Sequence, residues 1–507
     1  MNRKNYKYAL MIIALFLAFS SCKKFLDLTP ISSATTDNAY ETADDIEAGL
    51  NGAYGAFIAT NYYQWEIFAH TDVRADNAYC GGSNDVDYYQ LDMNNIPNTN
   101  GSVERAWTEL YASIAKANNV LYYLPDITDE SLTDERRAQI TGEACFLRAF
   151  HYFQLVSLFG GLPLERESVS SDASVIDLPR ATETETYDFI DSNLLVAVAN
   201  LPETFGADNI DKVRATKGSA FALLAKIWAQ RSDRDYSKVD AYCDSVINLG
   251  KYALLSDFDN LFDGSNNYNE ESIMEISYLA STDEANWGTE MLYPTRSDDG
   301  TIESPWQRYC VPSHTLVNAY TTEGDAVRLK TSVSFEPADW SDDFWNPCGN
   351  TTDSLIPFAY KQRHPNSWSG GDHVYLLRYA DVLLLKAEAL ANLGELSDAL
   401  TYLNMIRSRV GLADVSTTSQ SELLTKILKE RQLEFAFEWQ RWNDLNRFGV
   451  TVTTMNNLGE TTYVCNDDET LSTGTSIDYD FDDNSTLLPI PLTELQANPN
   501  LTQNPGY

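Results

Sequence analysis

Two stretches of the chain combine aromatic rings with polar and charged side chains outside the regions of clear helical pattern. The first lies within residues 72–89 and contains Asp76, Asn77, Tyr79, Tyr88 and Tyr89. The second contains Trp287, Trp306, Arg308, Tyr309, Trp340 and Trp345. Rings that can stack on an apolar C–H face, next to groups that can bond hydroxyls, are typical of sites that bind sugars. The alternative interpretation is that each ring packs a small satellite core beneath a long loop.

Motifs for catalysis are missing from the sequence. It contains no HExxH, paired CxxC, GxGxxG, Walker A or GxSxG pattern, and it has only five histidines. Metallohydrolase, nucleotide-binding and serine-hydrolase functions therefore have no support. His151 lies inside a helical pattern, where we expect a packed side chain. A glycosidase-type carboxylate pair stays open, because any two of the 74 acids could form one.

One acidic stretch resembles part of a calcium site. Residues 478–484, DYDFDDN, match the first half of an EF-hand loop. Position six is Asp483 where the loop needs Gly, and position twelve is Pro489 where it needs Glu, so the pattern fails as an EF-hand. We expect a solvated acidic loop and no cofactor, with adventitious calcium as the alternative.

The composition indicates a folded, acidic protein. The formal net charge of the 507 residues is -38, which disfavours binding to nucleic acid. Hydrophobic residues make up 43% and charged residues 22%, so global disorder is excluded despite the acidity. At roughly 100–200 residues per domain, the length allows two to four domains or one large repeat scaffold.

Helical periodicity extends over much of the chain. Apolar residues at i, i+3, i+4 and i+7 predict a helix over 103–124, and similar patterns predict helices over 135–159, 184–201, 212–230 and 236–249. Hairpins of such helices bury their apolar faces only by packing on one another. The sequence therefore predicts a mainly α-helical scaffold.

The clearest repeat unit lies within residues 375–410. Its residues at tetratricopeptide offsets are Leu383, Ala387, Leu390, Gly394, Ala399, Leu403 and Ile406. A final long helix is predicted over 421–445. Its acids and arginines recur at i+3, i+4 and i+7, and we expect a buried ion-pair ladder between helices rather than an active site.

Between residues 256 and 372 the helical period disappears. Gly, Pro, Asn, Asp and Ser punctuate this segment, and several tryptophans are spread through it. A loop-rich insert in a helical scaffold is usually functional, so we expect Trp345 to be exposed there. Residues 464–488 form a second turn-rich stretch.

The first residues predict export. Arg3, Lys4 and Lys7 precede a short apolar run, which together indicate a signal peptide over 1–21. Small residues directly before Cys22 resemble a lipobox, so we expect Cys22 to carry a lipid anchor; an ordinary cleavage site is the alternative. No later apolar run is long enough to span a membrane.

The remaining six cysteines include no CxxC pair. Disulfides are permitted in an exported protein, and the sequence leaves their pairing open. Cys145 and Cys243 lie in helical patterns, where we expect ordinary core residues.

Short motifs follow one another through the chain in a fixed order. They are CKKFLD at 22–27, GEACFLRA at 142–149, GGLP at 160–163, RYADVLL at 378–384, AEA at 387–389, ERQLEFAFEWQRWNDL at 430–445, LPIP at 488–491 and QNPGY at 503–507. Together they resemble the SusD/RagB family of outer-membrane nutrient-binding lipoproteins. We therefore divide the chain into a signal peptide, a helical N-terminal part, a loop-rich ligand-binding insert and a C-terminal part, with bounds 1–21, 22–255, 256–372 and 373–507.

The resemblance implies a SusD-like scaffold of tetratricopeptide-like hairpins on the outer surface of the outer membrane. Members of the family bind oligosaccharides or other nutrients, pass them to a SusC-type TonB-dependent transporter, and are not enzymes. Their ligands sit between an N-terminal loop and the region after the first helical units, where both aromatic stretches lie. Two alternatives remain open: an exported glycoside hydrolase, and a transporter-associated scaffold without glycan affinity. The motifs do not identify the glycan.

Overall fold

The computed structural model describes residues 40–81, 85–166, 177–294, 308–337, 342–345, 347–348, 355–364 and 369–507. Its α-helices in that part are α1 (Ala43–Tyr54), α2 (Val86–Asp92), α3 (Gly101–Tyr123), α4 (Asp134–Phe159), α5 (Glu183–Asn200), α6 (Asp208–Asp211), α7 (Lys217–Gln230), α8 (Tyr236–Asn248), α9 (Thr289–Leu292), α10 (His314–Glu323), α11 (Ala326–Ser332), α12 (Tyr379–Leu393), α13 (Leu396–Arg409), α14 (Gln420–Phe435), α15 (Arg441–Phe448), α16 (Thr451–Asn456) and α17 (Leu492–Ala497). Its strands are β1 (Ala78–Tyr79), β2 (Ser272–Ile276), β3 (Val311–Pro312), β4 (Val333–Pro337), β5 (Leu355–Ala359), β6 (Val374–Arg378), β7 (Thr461–Cys465) and β8 (Leu471–Ser476). They pair antiparallel as β1–β3, β2–β6, β4–β5 and β7–β8.

The helices pack in sequence to form one scaffold. Helix α4 lies between α3 and α5, α7 contacts α5 and α8, and α12 contacts α8, α13 and α14. Helix α4 is central, and its side chains from Ile140 onward are mostly buried, His151 and Cys145 among them. These contacts confirm the mainly helical fold and the packed position of His151.

One predicted helix begins later in the chain than expected. The helix predicted over 212–230 begins only at Lys217, and the short helix α6 precedes it. Thr216 caps α7 by accepting the Ser219 N–H. The carbonyl of Lys212 instead accepts the Glu275 N–H of β2 at 2.7 Å, so this part of the chain is held beside a strand.

The tetratricopeptide-like unit forms as predicted. Helices α12 and α13 form a hairpin, and Leu383, Leu403 and Ile406 are fully buried in the main core. Gly394 ends α12 with a φ of 87°, a left-handed conformation that a side chain would disfavour. Periodic apolar positions thus define the core of this hairpin.

The single helix predicted over 421–445 was wrong. The chain leaves helical geometry after Phe435, and Phe437 and Trp439 have φ values of 60° and 64°. The buried carboxylate of Asp72 accepts the backbone N–H groups of both residues, at 3.3 and 3.1 Å. The Asp72 carboxylate, which is distant in the sequence, therefore accepts the N–H groups that would otherwise bond to carbonyls within a continuous helix. The next helix, α15, begins only at Arg441.

The expected ion-pair ladder is confirmed and is wholly buried. Arg431 of α14 contacts Asp444 of α15 at 2.9 Å and Asp381 of α12 at 2.8 Å. Glu434 contacts Arg378 of β6 at 2.6 Å and Arg328 of α11 at 3.1 Å. Buried charges persist only when paired, so this network fixes how α11, α12, α14 and α15 meet.

The segment 256–372 has more regular structure than predicted. It contains β2 to β5 and the helices α10 and α11, so the expected loss of helical period was wrong over 314–332. Ser313 caps α10 by accepting the Leu316 N–H, and Gly324 ends it with a left-handed conformation. Two helices this short leave few turns for a periodic signal, whereas their caps are visible in the sequence.

Candidate ligand-binding site

The two predicted aromatic stretches meet through a short strand pair. Ala78 of β1 pairs with Pro312 of β3, and Tyr79 pairs with Val311. Next to this pair the Gly81 N–H donates to the Arg308 carbonyl at 2.9 Å. A Cβ at Gly81 would lie 2.7 Å from that carbonyl oxygen, so the close approach requires glycine. The fold thus places residues from both stretches side by side.

Tyr79, Arg308 and Asp342 form a buried polar group at this junction. The Tyr79 hydroxyl donates to Asp342 at 3.1 Å, and the Arg308 guanidinium forms an ion pair with the same carboxylate. The Tyr79 ring lies against Phe344, with ring centroids 4.0 Å apart. Burial, together with the neighbouring carboxylate, holds the pKa of Tyr79 well above its usual value, so its hydroxyl remains a donor.

Tyr88 and Tyr309 continue this packing. Their ring centroids are 4.7 Å apart, and the Tyr88 hydroxyl donates to the Trp65 carbonyl at 3.4 Å. Both side chains are buried, and burial raises the pKa of each phenol. We define the aromatic cluster as Tyr79, Tyr88, Tyr309, Phe344 and Trp345 with the adjoining Arg308 and Asp342.

Asp76 and Asn77 belong to the core behind the cluster. Asp76 accepts two hydrogen bonds from Arg441, at 2.6 and 2.7 Å, and both residues are buried. The Asn77 amide donates to Asp72 at 2.9 Å, and Gln432 donates to Asp76 and Asn77 at 3.1 and 3.2 Å. Their polar atoms are therefore occupied by protein partners, and we assign them to the support of the site rather than to its surface.

Trp345 is half-buried, not exposed as predicted. Its ring stacks on His314 with ring centroids 3.8 Å apart, and its Nε1 donates to the Pro312 carbonyl at 3.2 Å. His314 Nδ1 lies 3.0 Å from the buried Glu460 carboxylate. The chain of contacts from Glu460 to Trp345 fixes the orientation of the indole.

Among the predicted residues that the structure describes, Tyr89 and Trp287 are exposed. Tyr89 is 39% exposed on α2, next to the buried Tyr88. Trp287 is 45% exposed, and its backbone N–H donates to the Gln64 side chain at 2.8 Å. Gln64 adjoins Trp65, whose carbonyl accepts from Tyr88. The predicted residues Trp306 and Trp340 lie outside the described residues, as does Cys22.

A disulfide ties the loop that carries Trp345 to the C-terminal hairpin. Cys348 is bonded to Cys465 of β7, and the Tyr463 N–H donates to the Asp343 carbonyl at 2.6 Å. The sequence did not predict this pairing. The thiols of Cys145 and Cys243 are free and buried, which confirms their place in the core.

Four further residues belong to this site that the sequence patterns did not indicate: Asp342, Phe344, His314 and Glu460. His314 follows Ser313, the cap of α10, which was a visible signal for a helix start at this position. Nothing in the local sequence links Glu460 to His314, because they are far apart along the chain. Only the fold brings them together.

The acidic stretch at 478–484 forms a turn. Asp482 accepts the N–H groups of Asn484 and Ser485, at 2.9 and 3.0 Å, and so caps a short 3₁₀ helix. In the described part of the chain, no three His, Cys, Asp or Glu side chains come together as a metal site. Over the same residues, no helix has the length and apolarity needed to cross a membrane.

Comparisons with known proteins identify the family. The model described as "SusD family" matches residues 351–507, and the model described as "Starch-binding associating with outer membrane" matches residues 24–228. Together they cover more than half of the chain. It belongs to the SusD/RagB family. A SusD-like protein of Formosa agariphila is 28% identical over 532 residues, covering 99% of this chain and 100% of that protein.

Solved structures of SusD-like proteins share the fold. One from Bacteroides fragilis has a TM-score of 0.77 at 22% identity and covers 95% of this chain and 100% of its own. A laminarin-binding SusD-like protein has a TM-score of 0.75 at 24% identity and covers 92% of this chain and 100% of its own. SusD/RagB proteins are binding proteins and not enzymes, so membership of the family removes the glycoside hydrolase alternative.

Proposed function

We propose that this SusD/RagB protein binds oligosaccharides at the aromatic cluster and delivers them to a SusC-type TonB-dependent transporter. In this proposal it is held at the outer surface of the outer membrane by a lipid on Cys22. The observation that carries the proposal is the β1–β3 pairing, because it joins the two stretches that the sequence marks as sugar-binding. One family model is described as starch-binding and associated with the outer membrane, and one relative of the same fold binds laminarin.

The geometry suits recognition of a sugar. The half-buried ring of Trp345 is held from behind by His314, and Tyr89 extends from α2 into solvent. A ring fixed as that of Trp345 is can accept the C–H face of a sugar with little loss of side-chain entropy. The buried Arg308–Asp342 pair and the phenol of Tyr79 hold the cluster in place.

Ligand binding is tested with the chain lacking residues 1–22. A glycan array identifies the oligosaccharide, and calorimetric titration then compares the wild type with Trp345→Ala, Tyr89→Ala and Trp287→Ala. We expect Trp345→Ala to weaken binding most, because its ring is the best fixed. Leu195→Ala is the control, since Leu195 is 48% exposed on α5 and belongs to no candidate site. If all three variants bind like the wild type, neither the aromatic cluster nor the exposed rings of Tyr89 and Trp287 form the binding site.

Delivery to the transporter needs a separate test. Affinity purification of the tagged, membrane-anchored protein should recover a TonB-dependent transporter, and Trp345→Ala should recover the same amount. Uptake of the matching oligosaccharide should fall in cells that carry Trp345→Ala. A protein that recovers the transporter but binds no glycan on the array would instead be a scaffold without glycan affinity.

A further inference from the structure

Two cysteines lie opposite each other at the strand pair that joins the two aromatic stretches. The register of β1 and β3 pairs Tyr79 with Val311, so the next residues along the two strands are Cys80 and Cys310. Both side chains are only 3% exposed, and both are thiols in this structure. Residues that lie opposite each other in an antiparallel pair have their side chains on the same face. The fold therefore brings two buried sulfur atoms from distant parts of the sequence to one place.

The hydrogen bonds around the two cysteines show which kind of pair they form. The Ser313 N–H donates to the Asn77 carbonyl at 3.0 Å, so these residues form a hydrogen-bonded pair. Hydrogen-bonded and non-hydrogen-bonded pairs alternate along an antiparallel ladder, so Cys80 and Cys310, three positions further on, form a non-hydrogen-bonded pair. The Cys80 N–H accordingly donates to the Asp92 carboxyl group at 3.1 Å. In such a pair the Cα atoms are about 4.5 Å apart, which lies within the range of about 4.4–6.8 Å that a disulfide spans.

The two backbones stay together on the other side of the cysteines. There the Gly81 N–H donates to the Arg308 carbonyl at 2.9 Å. Because the chain is held on both sides, rotation of the two side chains is enough to bring the sulfur atoms into bonding distance. Burial, the Asp72 carboxylate and the nearby Cys80 sulfur raise the pKa of Cys310 well above its usual value. A thiol that rarely ionises reacts slowly, so a bond between these residues has to form before they are buried.

We infer that Cys80 and Cys310 form a disulfide while the exported chain folds. The Cys348–Cys465 disulfide already joins two other cysteines of the chain, and disulfides persist in oxidising compartments outside the cytosol. The bond ties the two aromatic stretches together covalently, directly beside Tyr79. It does not depend on which ligand the protein binds.

The oxidant is the disulfide of a thiol oxidoreductase or of a small molecule. The thiolate of one cysteine attacks this disulfide, forms a mixed disulfide with one of its sulfur atoms and releases the other as a thiol. The thiolate of the second cysteine then attacks the mixed disulfide, which forms the Cys80–Cys310 bond and releases the second thiol. In total the two cysteines lose two protons and two electrons, and the oxidant gains them.

Peptide mapping of the unreduced protein tests the inference. The tagged full-length protein is purified from cells that export it, with iodoacetamide in denaturant added at lysis and no reductant. Trypsin should then release residues 75–105 and 309–328 chiefly as one linked species, because each of these peptides contains one of the two cysteines. Reduction should separate them. Recovery of most of either peptide as an alkylated single species, or linked to a different cysteine, would overturn the inference.

Substitution of one cysteine provides the control. In Cys310→Ala the peptide that contains Cys80 should become alkylated without prior reduction, because its partner is gone. In Cys145→Ala, which removes a buried thiol from the helical core, Cys80 and Cys310 should remain linked. A Cys80 that is bonded to another cysteine in both the wild type and Cys310→Ala would overturn the pairing. The wild-type peptide map decides the question if Cys310→Ala fails to fold.

Discussion

The indole of Trp345 lies on the imidazole of His314, with ring centroids 3.8 Å apart and ring planes inclined by 15°. His314 is positioned in turn by Glu460, which also accepts the Thr315 N–H at 3.1 Å. One face of the indole is therefore covered by protein. A ligand can reach this residue only from its remaining exposed part, and it meets a ring whose orientation is already fixed.

Replacement of Trp345 by Ala should weaken oligosaccharide binding by roughly 1–3 kcal/mol, by analogy with ring stacking on nucleic-acid bases. The reason is that the ligand loses the exposed part of the indole on which it would stack. The fold itself has other contacts in this region. Calorimetric titration measures the change, and circular dichroism checks the fold. His314→Ala should give a smaller loss, because it removes only the support of the ring. An affinity unchanged by Trp345→Ala would contradict a role in binding.

Loss of the Cys348–Cys465 bond should loosen the loop that carries Trp345. The two cysteines are 117 residues apart, so the chain-entropy model assigns the bond at most about 5 kcal/mol of stability. We expect the Cys348→Ser, Cys465→Ser double variant to show faster hydrogen exchange at Tyr463 N–H, which donates to Asp343. Oligosaccharide affinity should fall with it. Equal exchange rates in the wild type and the double variant would show that the loop is held without the disulfide.

Core and surface residues should differ sharply in their effect on stability. Leu403 is fully buried in α13, so Leu403→Ala should lower the free energy of unfolding by about 2–5 kcal/mol. Trp287 is 45% exposed, and Trp287→Ala should cost far less. Urea unfolding of the two variants makes the comparison. Similar losses in both would mean that Trp287 packs a structural core and is not available to a ligand.

The scaffold could be predicted because helical periodicity is a local property. The buried positions of Leu383, Leu403 and Ile406 follow from spacing alone, and the helices around them formed as expected. The break after Phe435 could not be predicted. It depends on the Asp72 carboxylate, which lies more than 360 residues away in the chain and accepts the N–H groups of Phe437 and Trp439.

The sequence indicated the two aromatic stretches, but it did not indicate how their individual rings are placed. Residue types showed which stretches could bind a ligand, and the β1–β3 pairing brings these stretches together. Residue types could not show which rings face solvent. Tyr88 and Tyr89 are adjacent and chemically identical, yet the helix α2 buries the first and exposes the second. That difference follows from where the helix packs, and single-sequence patterns over seven residues do not determine it.

Replacement of Cys22 by Ala should release the protein from the membrane. The prediction rests on the lipobox-like residues before Cys22, because acyl chains contribute about 0.8 kcal/mol per buried CH₂ to membrane binding. Fractionation of cells that produce Cys22→Ala should recover the folded protein outside the membrane fraction, whereas Cys145→Ala should remain with the membranes. Retention of Cys22→Ala in the membrane fraction would contradict lipid anchoring at this residue.

Asp92 should make the stability of the protein depend on pH. Burial raises the pKa of this carboxyl to about 8, although it accepts the Cys80 N–H at 3.1 Å. An unfolded Asp has a pKa of about 3.9, so above that pH the unfolded state loses a proton that the folded state retains. The protonated Asp92 carboxyl therefore makes its full contribution to the free energy of unfolding below about pH 4. This contribution is lost as the pH rises to about 8, by up to about 1.4 kcal/mol per pH unit.

Asp92→Asn should therefore be less sensitive to alkali than the wild type. Its free energy of unfolding, measured with urea from pH 5 to 9, should fall less steeply with pH because the amide does not ionise. Other buried carboxyls such as Glu66, whose pKa burial raises to about 7, act in the same direction in both proteins, so the difference between them isolates Asp92. Asp468→Asn, at an exposed turn whose carboxylate has a lowered pKa through hydrogen bonds from Thr470, should keep the wild-type slope. Parallel curves for wild type and Asp92→Asn would show that Asp92 is ionised in the folded protein.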